Sequence, residues 1–387
     1  MMMLSTRPSA PARPKADRTA ASSTRLLALT GAATLALTAC SLGGSGGSGG
    51  ADPTSGSTTS AVAAGSCTGD GTLTVLTHES FVLPDEAKAA FEEESGCTLK
   101  LVTAGDAGLL TNRLVLTKGS PVADAVFGID NTFAGRAVAE GVLEEYQPEL
   151  PEGAADHALP GEGSTVLTPV DFGDVCVNID DTWFAKEKVD PPVTLDDLTK
   201  PEYQDLFVTP GASSSSPGLA FLLGTIGAKG EDGWQQYWRD LVDNGTKITS
   251  GWSDAYGVDF TAGEGQGDRP IVLSYASSPP FTVPEGGDEP TTSALLDTCF
   301  RQVEYAGVVK GTEQPAGARA FVDLMLDDDV QAGIPESMYM YPVSSAVELP
   351  EEWARWAKTA EEPLTVDPAR IEEQRATWLR EWTDITS

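Results

Sequence analysis

Apolar positions over residues 67–387 switch between two periods, and the switching predicts the class of fold. Residues 73–77, Leu-Thr-Val-Leu-Thr, form a short β-rich run. Over 85–94, Ala87, Ala90 and Phe91 then share one helical face, with Gly96 as the stop. A second strand is predicted over 98–103. Asp106 stands as a natural N-cap before Leu109, Leu110, Leu114 and Leu116, and 123–129 reads as a third strand running into Asp130-Asn131. This β-α-β-α-β order implies a mostly parallel sheet with ligands at the carboxyl ends of its strands. His78, Glu79, Asp106 and Asp130 all fall at such ends.

A second unit begins near Asp171-Phe172-Gly173, with strands predicted over 175–179 and 206–209. Trp234, Tyr237, Trp238 and Leu241 lie at i, i+3, i+4 and i+7 of a helix closed by Gly245, a spacing that gives one buried stripe. Ser213-Ser214-Ser215-Ser216-Pro217-Gly218 leads into the apolar run from Leu219. Such a turn either caps the helix or offers hydroxyls and free N–H groups to an anion or polar ligand. Further on come a helix over 316–326, a turn over 335–342 carrying Tyr339 and Tyr341, and a last helix opened by Asp367-Pro368 with Ile371, Trp378 and Trp382 on one side. Asp327-Asp328-Asp329 reads as a solvated helix end. One stretch fits neither period: Gly251-Trp252-Ser253-Asp254-Ala255-Tyr256-Gly257, followed by the patch 273–279. Nothing periodic buries Trp252, so its face is either packed over a loop or offered to a planar or cationic small molecule.

The N-terminal residues change the picture of where the protein works. Arg7, Arg13, Lys15, Arg18 and Arg25 precede an apolar run over 26–38 that ends at Leu37-Thr38-Ala39-Cys40. The run is too short to span a membrane stably and reads as an export signal. Leu-x-x-Cys there resembles the lipobox of bacterial lipoproteins, which makes residues 1–39 the signal peptide and Cys40 the lipidated first residue of the mature chain. Residues 41–64 are almost wholly Gly, Ser, Thr and Ala, a tether that cannot bury enough surface to fold. The expectation is an exported protein held to the outer face of the cell membrane by Cys40, with 40–66 as anchor and tether.

The formal net charge of the chain is −33. Losing the basic leader would leave the remainder more acidic still. That excludes nucleic acid as a partner, since neutralising phosphates needs a basic surface, and it mildly favours a cationic ligand. Cys67, Cys97, Cys176 and Cys299 remain after Cys40, an even number that suggests disulfides in an exported chain, with three connectivities possible. Cys67 with Cys97 would tie the tether's end to the start of the second strand; Cys176 with Cys299, which completes the favoured arrangement, would join two strands near a domain crossover. No spacing resembles a metal site, and the chain has two histidines, His78 and His157.

Taken in order, several stretches resemble the thiamine-binding periplasmic proteins of ABC importers. They are Leu73-Thr74-Val75 with Glu79-Ser80-Phe81, Asp106 with Asn112-Arg113-Leu114, Gly128-Ile129-Asp130-Asn131, Ser215-Ser216-Pro217-Gly218-Leu219, the Gly251-to-Gly257 string, Leu273-Ser274-Tyr275, Met340-Tyr341-Pro342-Val343 and Gln374-Arg375. The match is collinear over 73–382, and the Gly-Trp-Ser-x-Ala-Tyr-Gly string is its most specific part. The resemblance implies an α/β type II periplasmic-binding-protein fold, two lobes joined by crossover strands with the ligand in the cleft. Lobe one would be 67–172 plus 305–340, and lobe two 173–304 plus 341–387. It further implies that Trp252, Tyr275 and Tyr339 stack on the rings of thiamine, that Asp106 holds the aminopyrimidine, and that Ser215 lies near the hydroxyethyl or phosphate end. His78, Phe281 and Tyr339 stand where the family pattern has Tyr, Tyr and Trp. That leaves a smaller stacking cage, and leaves open the choice between thiamine and its phosphates. The implied partners are thiamine or its phosphates and an ABC importer permease, with a monomeric protein touching the membrane only through its lipid, no cofactor, and thiamine as cargo.

Two other classes fit parts of the sequence. A thiaminase-like enzyme on the same fold would need a nucleophilic Cys with a carboxylate base in the cleft. Cys176 and Cys299 sit at strand positions that suit a structural pair better. A binding lipoprotein for ferric iron would be expected to carry adjacent tyrosines, which this chain lacks. One for a polyamine would need carboxylates at both ends of the cleft.

Overall fold

The computed structural model describes residues 67–387; the expected signal peptide, Cys40 and the tether lie outside the described residues. Ten strands are described: β1 (Thr72–Thr77), β2 (Thr98–Thr103), β3 (Ala125–Asp130), β4 (Leu143–Glu144), β5 (Thr168–Asp180), β6 (Phe207–Pro210), β7 (Lys247–Thr249), β8 (Ile271–Tyr275), β9 (Thr292–Val309) and β10 (Tyr341–Pro342). Along the sheet they run β2-β1-β3-β9-β5-β8-β6-β7, with β10 paired to β5 and β4 to β9.

β1 pairs in parallel with both β2 and β3, and β6 in parallel with both β7 and β8. Each parallel trio is wound with helices, as the alternation of periods requires. In the first, the helices Asp85–Ser95 and Ala107–Leu116 form the crossovers; Phe91 turns inward from one, and Leu110 and Leu114 from the other. In the second, Ser216–Lys229 and Trp234–Asp243 do the same, and Trp234, Tyr237, Trp238 and Leu241 form the buried stripe their spacing predicts. Tyr237 and Trp238 keep their polar atoms paired, to the Leu195 carbonyl at 2.8 Å and to Thr225 Oγ1 at 2.9 Å, which is what lets such rings lie in a core.

The two trios are joined by β5 and β9, long antiparallel strands paired from Thr168–Ala306 to Asp180–Thr292. The sequence reading missed their length. It expected five residues of β5 where thirteen are extended, and it did not draw β9 as a strand of eighteen. Two local expectations also change. Pro335 lies inside a helix, Asp328–Met338, and not in a turn; Ile334, Pro335 and Met338 are buried, and the helix ends only at Tyr339 in the left-handed region at φ 62°. The Asp327–Asp329 run opens this helix, with Asp327 accepting from the Asp329 N–H.

The cysteines pair as Cys67–Cys97 and Cys176–Cys299. The second pair closes an irregularity in the β5–β9 ladder. Between the pairs Val175–Phe300 and Val177–Leu295, four residues of β9 stand opposite Cys176 alone. Thr298 Oγ1 fills the gap by accepting from the Val177 N–H at 3.0 Å.

The disulfides span 30 and 123 residues, and loop closure in the unfolded chain predicts roughly 3.5 and 5 kcal/mol of stabilisation for loops of those sizes. Replacing Cys176 and Cys299 by Ala should therefore lower the urea-unfolding free energy more than the same change at Cys67 and Cys97. Equal losses would show that loop length does not set these contributions.

Candidate functional site

The carboxyl ends of β1, β2 and β3 deliver His78, Asp106 and Asp130 to one place, and the second parallel trio meets them there. Asp106 is the N-cap of helix Ala107–Leu116: Oδ1 accepts from the Ala107 N–H at 2.7 Å. The same carboxylate also accepts from the Ser216 N–H at 3.5 Å and, through Oδ2, from the Trp252 N–H at 3.3 Å. Both donors belong to the other trio, so Asp106 bridges the seam between the halves. Gly251 permits this approach, since a Cβ there would stand 2.8 Å from Glu79 Oε1 and 3.6 Å from Asp106 Oδ2.

Trp252 does not sit in an open turn. Residues Ser253–Asp259 form a π-helix, and its wide turn lays Tyr256 flat on Trp252, centroids 5.1 Å apart at 10°. Tyr275 and Tyr339 approach edge-on at 6.0 and 5.5 Å, and the indole N–H donates to Ser274 Oγ at 3.0 Å. Trp252 is half-buried, so its ring belongs partly to the packing and partly to the seam. Tyr339 stacks on Phe281, centroids 3.5 Å apart, and the Tyr339 carbonyl accepts from the Ser277 hydroxyl. Ser215 is fully buried, and its hydroxyl caps helix Ser216–Lys229 by accepting from the Gly218 N–H at 3.5 Å. The capping half of the sequence expectation for Ser215 is what the geometry displays.

Beneath the aromatic group lies a polar layer that sequence reasoning missed. Asp171 of β5 faces Glu304 of β9 directly across the ladder. Gln302 donates from Nε2 to Glu304 Oε1 at 3.1 Å and pairs with the Tyr275 hydroxyl at 3.3 Å. His78 Nε2 stands 3.6 Å from Glu304 Oε2. Gly128, at φ 99° in a bulge of β3, makes room for that imidazole; a Cβ there would come within 2.2 Å of His78 Cδ2. Asp130 accepts from the Thr132 hydroxyl at 2.9 Å and the Phe133 N–H at 3.1 Å. Among the described residues, none of Asp106, Asp130, Asp171 and Glu304 has a Lys or Arg within the 4.0 Å of an ion pair.

Buried acids without counter-ions hold their protons. Burial raises Asp130 to about 7 and Glu304 to about 7, with Asp106 adding to the rise at Glu304. Asp171 is raised well above the ordinary range by burial and then by Glu304. Burial lowers His78 to about 4, against the pull of Asp106 and Glu79. Glu79, on the open side, is raised by its partial burial and by Asp106.

A cavity of 1120 Å³ lies elsewhere, against Arg301, Val303 and Tyr305, the alternate face of β9 from Gln302 and Glu304. None of the residues singled out from the sequence as ligand contacts lines it.

Residues 120–278 match the family model described as bacterial extracellular solute-binding protein. The thiamine-binding periplasmic protein of Escherichia coli (strain K12) is 31% identical over 324 residues, covering 81% of this chain and 93% of that one. The chain belongs to the thiamine-binding periplasmic protein family. A relative of the same description from Brucella suis biovar 1 (strain 1330) is 30% identical over 326 residues, 82% of this chain and 92% of its own. The solved structure of a periplasmic thiamin binding protein superposes with a TM-score of 0.70 at 30% identity, covering 82% of this chain and 96% of that one. The fold is accordingly that of the periplasmic binding proteins, with β5 and β9 as the strands that cross between its halves, and the protein is an extracytoplasmic solute-binding protein. Among the described residues no helix is long and apolar enough to cross a membrane.

The buried acids set a pH dependence. Asp130, Asp171 and Glu304 bind protons more tightly in the folded chain than in the unfolded one, so their contribution to stability falls as pH rises above the ordinary carboxylate range, for Asp130 and Glu304 until about 7. His78, lowered to about 4 from 6.5, acts oppositely between those values, but it is one group against three. Glu304→Gln should flatten the fall in urea-unfolding free energy between about pH 5 and about pH 7 by up to about 1.4 kcal/mol per pH unit. Parallel profiles for parent and variant would show that Glu304 titrates as an ordinary surface acid.

Proposed function

We propose that the protein captures thiamine outside the cell and delivers it to an ABC importer permease. The observation that carries this reading is the meeting of aromatic faces and uncompensated carboxylate at one seam: Trp252, Tyr275 and Tyr339 beside Asp106, whose oxygens reach the Trp252 and Ser216 N–H groups. The thiazolium ring of thiamine is a permanent cation. An aromatic face attracts such a cation by roughly 0.5 to 2 kcal/mol, and an ionised Asp binds an aminopyrimidine through charge-assisted hydrogen bonds. The family relationship supplies the ligand that has both features.

In this reading lobe one comprises 67–172 and 305–340, lobe two 173–304 and 341–387, and the cleft between them takes the ligand. Trp252, Tyr275 and Tyr339 stack on its rings, Phe281 backs Tyr339, His78 lines the floor, Asp106 binds the amine, and Ser215 fixes the helix end near the hydroxyethyl or phosphate group. Cys40 carries the lipid that holds the protein, a monomer, at the outer face of the membrane. Cys67, Cys97, Cys176 and Cys299 are all in disulfides, so among the described residues no cysteine is free to act as the nucleophile of a thiamine-cleaving enzyme.

Titrating the purified protein with thiamine, its mono- and diphosphate, spermidine and ferric citrate while following Trp fluorescence tests the ligand class; thiamine or a phosphate should saturate the signal and the other two should not. Asp106→Asn tests the site. Asn caps a helix as well as Asp does but carries no charge, so the variant should melt like the parent and lose roughly 1.5 kcal/mol or more of thiamine affinity. Unchanged affinity would reduce Asp106 to a helix cap.

A further inference from the structure

We propose that Glu304 is a cation-selecting group of this site, protonated while the site is empty and ionised when a cation binds beside it, so that each thiamine bound releases a proton. The inference rests on the thiamine reading above and deepens it. Its basis is geometric. Glu304 is 5% exposed, its Oε2 faces His78 Nε2 at 3.6 Å, and its strand partner is Asp171. Asp171 is fully buried, and neither of its oxygens meets a hydrogen-bond donor; His78 Nε2 is likewise without a hydrogen-bond partner. This layer has two carboxyls opposed and an imidazole nitrogen unpaired, and among the described residues no Lys or Arg within ion-pair range supplies it with positive charge.

The groups facing Glu304 come from every strand around it: His78 after β1, Asp106 after β2, Asp130 at the end of β3, Asp171 on β5 and Tyr275 on β8. After burial itself, Asp106 is the neighbour that disfavours a negative charge on Glu304, whereas the facing Asp171 carboxyl and Gln302 favour one, and the imidazole is held neutral by burial. With its proton held up to about 7 by burial and by Asp106, Glu304 is shifted toward the carboxylate when a fixed positive charge arrives beside it. The step balances simply: the O–H bond of the Glu304 carboxyl breaks, its proton passes to solvent buffer, and the carboxylate left behind pairs with the ligand's cation. Gln302, which already donates to Glu304 Oε1, steadies the carboxylate that forms. Neutral rings of the same shape obtain no such ion pair, and thiamine is separated from them by charge as well as by stacking.

Isothermal titration calorimetry with thiamine, repeated near neutral pH in phosphate and in Tris, measures the proton released from the difference in apparent enthalpy. The parent should release a substantial fraction of one proton, and its affinity should rise by up to about tenfold per pH unit below about pH 7 and level off above. Glu304→Gln should lose most of the release and the pH dependence, and bind thiamine on the order of tenfold more weakly. Thiochrome, the uncharged oxidation product of thiamine, should release nothing. Thiamine binding by the parent without proton release, or undiminished release by Glu304→Gln, overturns the inference and leaves the thiamine reading standing. Absence of thiamine binding to the parent overturns that reading and this inference with it. Should Glu304→Gln not fold, Asp106→Asn decides: removing the charge that raises Glu304 should move the release midpoint to lower pH, and an unmoved midpoint overturns the inference.

Discussion

Asp171 and Glu304 oppose one another across the two strands that hold the molecule together, and most of what distinguishes this site follows from that placement. β5 and β9 connect two parallel trios in one sheet. A strand that crosses from one half to the other passes beneath the seam, so alternate side chains at the crossing point into it. Ordinary sheet physics would put Val or Ile there. This chain instead presents Asp171, Gln302 and Glu304: Gln302 bonds to Glu304 and Tyr275, Asp171 faces Glu304 across the ladder, His78 stands beside Glu304, and among the described residues no Lys or Arg is within ion-pair range. Two buried acids cannot both ionise at such a place, and each remaining proton is held for want of a counter-charge.

Those same residues hid the crossover from sequence reasoning. Strands are recognised by runs or alternation of apolar residues, and Asp171, Asp174, Arg301, Gln302 and Glu304 interrupt both patterns. The uninterrupted pieces were legible: β1, β2 and β3, the capped helix at Asp106, and the aromatic stripe of Trp234 to Leu241 owe their form to local periodicity and to caps. The π-helix at Ser253–Asp259 was not, because its wide turn obeys neither period, and its local sequence reads as a Gly-bounded loop. The seven site candidates came from sequence resemblance and from turn chemistry. His78, Asp106, Trp252, Tyr275 and Tyr339 gather at the seam, while Ser215 is a cap and Phe281 a support behind Tyr339. Glu304 left no local signal, since a Glu in an unrecognised strand looks like any surface acid.

Acidic composition and acidic site are separate matters. Many of this chain's carboxylates are solvated, and several are matched at short range, as in Lys118–Glu140 or Arg370–Glu231; such exposed pairs contribute little. Arg301 and Asp174 show what a buried acid with a counter-ion looks like here: a two-pronged contact at 2.8 and 2.9 Å on the same two crossover strands. Asp171 and Glu304 lie three residues from that pair on their respective strands and lack such a partner. An arginine close enough to neutralise them would also repel a thiazolium cation from the seam. The unmatched pair is thus a feature that a cation-binding site can use and a purely structural core would not tolerate without cost.

The seam in this conformation is held shut by groups that the ligand would also need. Asp106 already accepts the Trp252 and Ser216 N–H groups, and Trp252 already has Tyr256 on its face and Tyr275 and Tyr339 at its edge. A ligand amine that engages Asp106 competes with, or adds to, two backbone donors from the opposite half. Ring stacking on Trp252 likewise requires the aromatic edges to yield. If the proposed site is right, binding would draw on the fraction of molecules whose halves have parted, and the apparent affinity would be the intrinsic one reduced by that fraction. Weak contacts favour such exchange: at 3.3 and 3.5 Å the two N–H bonds to Asp106 are long, whereas its capping bond to Ala107 is 2.7 Å. Under the proposed thiamine reading, the cap would stay with lobe one while the long pair breaks, which would leave Asp106 in place to receive a cation.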